Sequence, residues 1–206
     1  MLFVSSHPLV MDKIAKLRNK DTSISEFRRI MKEIGMLLCY EVTSTFQTKN
    51  IRVRTPLGIA WCRVISKDVV AVAILRAGLG LIDGVMEVIP QAKQAHIGIY
   101  RDEETLRPVK YYLKFPSSLE NSYVIIADPM LATGGSAIEA INIVKSRGAK
   151  NIYFLSVISS KAGIELLRKR HSDVKIYTGA VDDKLNDNGY IVPGLGDAGD
   201  RMFGTF

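Results

Sequence analysis

The chain has 206 residues and a mass of 22.8 kDa, with 47% apolar residues, 24% charged residues and a formal net charge of +7. A chain of this size and balance builds a packed domain that buries about 70% of its unfolded surface. It is not a disordered chain, a collagen-like fibre or a small disulfide framework.

Residues 1–50 read as helical. Phe27, Ile30, Met31, Ile34, Leu37 and Leu38 recur at helical spacing, with Ser23 or Ser25 available as the cap. Residues 51–55 alternate, Pro56-Leu57-Gly58 turns, and residues 59–65 are apolar-rich, which is the pattern of a hairpin. Strand–helix units then take over. Residues 69–75 are an apolar, β-branched run, as a strand covered on both faces requires. A helix follows over 79–88, stopped near Pro90, and then a strand over 96–100. The polar segment 102–116, broken by Pro108 and containing Tyr111-Tyr112-Leu113, reads as a protruding hairpin or arm. A strand at 123–127, a helix at 137–145 closed by Gly148, a strand at 152–158, a helix at 164–170 and a strand at 174–180 complete the series. Such alternation predicts a mainly parallel sheet with helices on both faces.

Residues 189–206 fit no helix or strand pattern and hold five of the 16 glycines. Ordering glycine is costly, so an ordered Gly-rich tail implies close approach to something. Tyr190, Ile191, Val192, Leu195 and Phe203 are apolar anchors against fraying. No repeat or linker divides the chain, so residues 1–206 are expected to form one domain.

No run approaches the roughly 20 apolar residues of a membrane span; the conspicuous one, 69–75, ends at Arg76. The N-terminus lacks the pattern of a secretory signal. Cys39 and Cys62 have no metal-ligand spacing and read as ordinary thiols, so a cytoplasmic setting is expected. The net charge slightly favours a small anionic ligand over nucleic acid. The basic residues are scattered, and no RNA-binding aromatic signature is present. His7, His96 and His171 match no catalytic triad and are assigned structural or solvated roles. There is no P-loop motif, and the glycines at 78, 80 and 84 miss dinucleotide spacing by one residue.

The informative stretch is Asp128-Pro129-Met130-Leu131-Ala132-Thr133-Gly134-Gly135-Ser136, behind the predicted strand 123–127. Ligands of open parallel sheets bind at the carboxyl ends of strands. A small-residue turn opening a helix presents backbone N–H groups and the positive end of the helix dipole to an anion. Thr133 and Ser136 add hydroxyl donors, and Asp128 can accept hydrogen bonds from hydroxyls. Phosphate on the turn and a diol on the carboxylate describe a ribose 5-phosphate. A plain helix cap after an Asp-Pro turn is the competing reading.

This stretch resembles the 5-phosphoribosyl diphosphate (PRPP) motif of type I phosphoribosyltransferases, in the form found in the uracil phosphoribosyltransferase family. Three further segments agree with that family, in its order: Ile74-Leu75-Arg76-Ala77-Gly78-Leu79-Gly80, Tyr100-Arg101-Asp102-Glu103-Glu104-Thr105-Leu106, and the tail from Gly189 to Asp200. The resemblance implies an α/β, type I phosphoribosyltransferase-like open parallel sheet with helices on both faces. A β-arm near 102–116 and a Gly-rich C-terminal base-binding hood near 180–206 would complete it. It implies that PRPP and uracil give UMP and diphosphate, with Mg²⁺, in pyrimidine salvage. Homodimers or higher homo-oligomers and a GTP effector also occur in such a family.

By the same resemblance, Asp128, Pro129, Met130, Leu131, Ala132, Thr133, Gly134, Gly135 and Ser136 bind PRPP, with Ala132 to Ser136 on the 5-phosphate and Asp128 on the ribose. Arg76 and Arg101 would bind the diphosphate, and guanidinium forks suit it. Gly78 and Gly80 would leave backbone room beside Arg76. Ile191, Gly196, Asp197 and Ala198 would read uracil through main-chain groups, where a backbone N–H meeting the C4 oxygen would reject cytosine. Asp197 would also touch PRPP or its metal, in one case through water. Asp197, Arg76 and Asp128 are thus the expected catalytic residues. Pro129 stands where many type I members carry a second acid, so the metal would rely on ligand oxygens and water. The expected reaction is direct: uracil N1 attacks as diphosphate leaves, with no covalent intermediate, and the 102–116 arm closes over the site. Two departures stand out. Ala73 replaces the family's common Pro, and Ser159-Ser160-Lys161-Ala162-Gly163 replaces Ala-Ala-Pro-Glu-Gly, adding positive charge near the ligand edge. A uracil-nucleotide sensor that binds RNA on the same fold is the second reading, and a transferase for another base is the third.

Overall fold

The structure is a computed structural model, and it describes residues 1–101 and 108–206, with nothing said of the Arg101 and Pro108 side chains. The chain opens with β1 (Leu2–Val4), α1 (Pro8–Arg18) and α2 (Ile24–Thr43). Pro8 sits at the first helical turn of α1, where its missing N–H costs nothing, and His7 Nδ1 accepts the Leu9 amide at 3.2 Å. Ser23 caps α2, its hydroxyl accepting the Glu26 amide at 3.3 Å. The apolar stripe of α2 is buried as its spacing requires, with Phe27, Met31, Ile34 and Leu38 losing all solvent contact. Each such side chain contributes about 1.5–3 kcal/mol.

The hairpin follows as β2 (Thr48–Thr55) and β3 (Gly58–Ile65), antiparallel around Pro56-Leu57. The body of the sheet is then laid down by β4 (Asp68–Leu75), α3 (Gly78–Val88), β5 (Lys93–Arg101), β6 (Pro108–Lys114) and β7 (Ser122–Ala127). The series continues with β8 (Met130–Leu131), α4 (Gly135–Ser146), β9 (Asn151–Ser160), α5 (Lys161–Arg170) and β10 (Lys175–Asp182). The tail contains β11 (Lys184–Leu185), β12 (Ile191–Val192) and α6 (Ala198–Phe203).

Strand order across the main sheet is β1-β10-β9-β7-β4-β5-β6, with β8 also on β9. Every pairing in it is parallel except β5 with β6. One face carries a core built with α1, α2, α3 and α6, and the other a core built with α4 and α5. This is the expected sheet with helices on both faces. Because both faces are covered, β7 is buried along its whole length, matching its unbroken apolar run.

Three expectations need correction. Residues 2–4 are not helical; they form an edge strand parallel to β10. The tail is not without regular structure: β12 pairs with β11 and α6 makes a short helix. Residues 130–131 add a strand inside the expected turn. All are two to six residues long, too short for a period of 2 or 3.6 to repeat. Most of the expected arm tip, residues 102–107, lies outside the described residues.

Candidate active site

The sheet has a switch point. From β4 the chain moves to β5 on one side, whereas β7 lies on the other. Open α/β sheets bind ligands in the crevice outside the carboxyl ends at such a point. Here those two ends carry Arg76, directly after β4, and Asp128, directly after β7. The Leu75–Arg76 peptide is cis.

A cavity of about 350 Å³ opens there. Its walls come from both motifs: Asp128 and residues 130–136 on one side, Gly189, Tyr190, Ile191, Gly196, Asp197 and Ala198 on the other. The Gly-rich tail and the Thr-Gly-Gly corner therefore converge. Gly134 caps α4 with φ +86°, a conformation side-chain-bearing residues resist. No side chain caps α4, so its first-turn amides are left for a ligand.

The loop is braced from behind. Ser160 Oγ donates to the Ala132 carbonyl at 2.5 Å and accepts the Gly163 amide at 2.8 Å. A Cβ on Gly163 would meet the Leu131 carbonyl oxygen at 2.7 Å and the Ala132 one closer still. Close approach therefore demands glycine there. Lys161, expected to add charge to the ligand edge, is paired with Asp183 at 2.7 Å.

Asp128 sits at the bottom of the cavity. Its Oδ1 accepts the Met130 amide at 3.4 Å. Burial pushes its carboxyl up to about 7; the Met130 hydrogen bond opposes this and the charge of Asp197 adds to it. Asp197 is exposed and caps α6, its Oδ1 accepting the Asp200 amide at 2.9 Å. The Tyr190 hydroxyl donates to Asp197 Oδ2 at 3.4 Å.

Pro129 does not line the cavity. It is buried, and its carbonyl accepts the amides of Val157 and Ile158 at 2.9 and 3.0 Å. Arg76 also stands off the cavity wall, against the tail: Nη2 donates to Thr205 Oγ1 at 3.2 Å and lies 3.5 Å from Asp200 Oδ1. The room expected beside it is filled. A Cβ on Gly78 would strike the Ala127 carbonyl, and one on Gly80 the Met202 and Met31 side chains. The Arg101 side chain lies outside the described residues. The three histidines are all away from the cavity. His7 caps α1, His96 lies in β5, and His171 ends α5 beside Lys145.

The tail hangs on arginines. Arg18 pairs with Asp182 through two 2.7 Å bonds, holding that carboxyl below its ordinary value, and donates to the Gly194 carbonyl at 2.8 Å. Arg201 donates to the carbonyls of Leu17, Leu195 and Asn19 and lies over the Phe27 ring. Asn186 closes the turn before the cavity-lining segment, its Oδ1 accepting the amides of Asn188 and Tyr190. These anchors join residues up to 184 positions apart, and nothing local in the sequence signals them. Ala77, Asn188 and Gly199 also line the cavity.

A parallel sheet with helices on both faces, and a switch-point cavity bordered by the Gly134-capped start of α4 and the Asp128 carboxylate, has the fold of the type I phosphoribosyltransferases. Solved adenine phosphoribosyltransferases from Trypanosoma brucei and Leishmania donovani share this fold, with TM-scores of 0.59 and 0.61 at 15% and 16% identity, each over 91% of this chain and 86% of theirs. The family description "Uracil phosphoribosyltransferase" matches residues 4–205, and the chain belongs to that family. It is 55% identical to a uracil phosphoribosyltransferase of Dictyoglomus thermophilum over the full length of both. It is 51% identical to one of Bacillus velezensis, over 99% of this chain and 98% of that one. The solved structure of the AQ2163 protein from Aquifex aeolicus superposes with a TM-score of 0.96 at 37% identity, over 100% of this chain and 99% of that one. Of the readings left open by the sequence, family membership supports the enzyme.

Proposed function

We propose that this cavity transfers the 5-phosphoribosyl group of PRPP to N1 of uracil, giving UMP and diphosphate, a step of pyrimidine salvage. The observation that carries the reading is the meeting of the phosphate loop with the glycine-bearing tail in one cavity. The amides at the start of α4 hold the 5-phosphate. The Asp128 carboxylate accepts hydrogen bonds from the ribose hydroxyls. Main-chain groups at Ile191, Gly196 and Ala198 take the pyrimidine edge. Uracil N1 attacks C1′ of the ribose as the C1′–O bond to diphosphate breaks, and the N1 proton is lost. Orientation and charge stabilisation of the departing diphosphate are the enzyme's contribution, with Arg76 and Arg101 as the cationic groups.

The residues fit Mg²⁺ carried in on the substrate. Asp128 and Asp197 face the same cavity, and their charges repel. Among the described residues no group of three or more His, Cys, Asp and Glu could hold an ion alone. Diphosphate oxygens and water would complete the shell. The ion would neutralise leaving-group charge.

A homo-oligomer is supported by the β2–β3 hairpin, where Leu57 is fully exposed and Trp61 is 73% exposed. A two-stranded hairpin gains stability from a partner surface. Cys39 and Cys62 are unpaired thiols, which supports a reducing, cytoplasmic setting. Among the described residues no helix is long and apolar enough to cross a membrane.

The test is incubation with PRPP, Mg²⁺ and labelled uracil. UMP formation is expected. Nucleotide formation with a purine and none with uracil would overturn the base assignment.

A further inference from the structure

The guanidinium after β4 and the base-facing tail are joined by a run of hydrogen bonds that the proposed reaction does not yet use. Arg76 Nη2 donates to Thr205 Oγ1 at 3.2 Å and lies 3.5 Å from Asp200 Oδ1. The Thr205 hydroxyl donates to that same Asp200 oxygen at 2.7 Å. The Asp200 amide donates to Asp197 Oδ1 at 2.9 Å, and Asp197 lines the cavity. The Phe203 ring lies beneath the guanidinium, 5.4 Å from its carbon. Nε and Nη1 have no hydrogen-bond partner among the described residues.

We propose that Asp200 and Thr205 are positioning residues for Arg76, holding one edge of its guanidinium so that the other edge meets the diphosphate of PRPP. The proposal rests on Arg76 being a diphosphate ligand. Free arginine side chains carry about 2 kcal/mol of rotamer entropy, which an exposed side chain must lose on binding. Tying Nη2 to the tail removes part of that loss before the substrate arrives. Nη2 carries two N–H groups, so the one not held by Thr205 still forms a parallel pair with Nη1 or Nε, the geometry phosphate oxygens accept. Both partners are partly exposed, at 52% and 36% for Arg76 and Asp200, so the effect is modest. The α6 segment thus has two jobs: Ala198 at its start lines the cavity, while Asp200 in its first turn and Thr205 just beyond its end aim the diphosphate ligand.

The experiment is calorimetric titration of magnesium diphosphate and, separately, of UMP, which carries no diphosphate. The proteins are the wild type, R76A, D200N, T205V and R76A/D200N. Asp200→Asn keeps the backbone amide that Asp197 accepts and an oxygen for Thr205, and T205V tests the same link without touching the charge. The expected result is diphosphate affinity about tenfold weaker in R76A and about threefold weaker in D200N and in T205V. The double variant should be no weaker than R76A, and UMP affinity should stay within about twofold throughout. Loss in R76A with wild-type affinity in D200N and T205V overturns the positioning role alone. UMP affinity falling in step with diphosphate affinity also overturns it, because the tail would then merely be structural. Wild-type diphosphate affinity in R76A overturns the Arg76 assignment and this proposal with it.

Discussion

Ser160 and Ala132 belong to different elements, yet the Ser160 hydroxyl donates to the Ala132 carbonyl at 2.5 Å while accepting the Gly163 amide at 2.8 Å. One hydroxyl both caps α5 and braces the loop over residues 132–136, the proposed phosphate loop. An alanine at this position would have neither bond. Ser160→Ala should cost about 1 kcal/mol of stability and raise the KM for PRPP by about threefold with kcat little changed, since the loop's hold on the 5-phosphate persists through the reaction. Thermal denaturation and initial rates measure both. A wild-type KM would show that Gly163 packing alone sets the loop.

Asp197 combines a cap and a charge. Its Oδ1 accepts the Asp200 amide, which an asparagine oxygen does equally well. Asp197→Asn therefore removes the charge while α6 keeps its start. Turnover should fall by at least about tenfold with the melting temperature unchanged, if the carboxylate serves PRPP or its metal. Asp197→Ala should lose stability as well. Wild-type turnover in the Asn variant would reduce Asp197 to a helix cap.

The long elements were legible because a period repeats within them: the α2 stripe from Phe27 to Leu38, and the buried β7, whose residues need apolar character on both faces. The turn over residues 128–136 was legible because its pattern is local, a carboxylate, small residues and a helix start within nine residues. The α6 helix was not, since six residues give less than two turns of apolar spacing. Nor were the anchors. Arg18, Arg28 and Arg201 look like solvated cations in the sequence, but each donates to a main-chain carbonyl far along the chain. The sequence places Arg76 at the diphosphate by resemblance alone; its engagement by Thr205 and Asp200 depends on how the tail returns to β4, which no local pattern encodes.

Asp128 makes activity and stability respond to pH in opposite directions. Its carboxyl rises from an ordinary 3.8 to about 7 because burial disfavours the charge. If Asp128 binds the ribose hydroxyls as proposed, its carboxylate, with both oxygens accepting, is the stronger partner, so kcat/KM for PRPP should climb as pH rises through about 7. Stability runs the other way. The folded state favours the proton, so this contribution is complete below the ordinary value and is lost as pH rises through the folded one. Asp128→Asn, which carries no charge, should gain a melting-temperature advantage that widens from about pH 4 to about pH 8, reaching a few degrees. It should also lose the acidic limb of the kcat/KM profile along with much of its activity. Melting curves and rate profiles across that range decide it. A constant difference in melting temperature would show that Asp128 is ionised at all these pH values.

Arg201 reaches from the tail into the first two helices. Its guanidinium donates to the Leu195 carbonyl at 2.7 Å, to the Asn19 carbonyl at 2.6 Å and to the Leu17 carbonyl, and it lies 4.5 Å above the Phe27 ring. Leu195 immediately precedes Gly196 and Asp197 on the cavity wall, so this contact sets where the segment proposed to take the base lies. Arg201→Met keeps much of the apolar stem but leaves three carbonyls without their donor, a loss of about 1–3 kcal/mol. The base side should suffer first. The KM for uracil should rise several-fold more than the KM for PRPP, because the phosphate loop is braced separately through Ser160. Steady-state kinetics with each substrate varied in turn separates the two. Equal rises in both constants would mean that the tail and the phosphate loop are held as one unit, with Arg201 supporting the whole cavity rather than the uracil side of it.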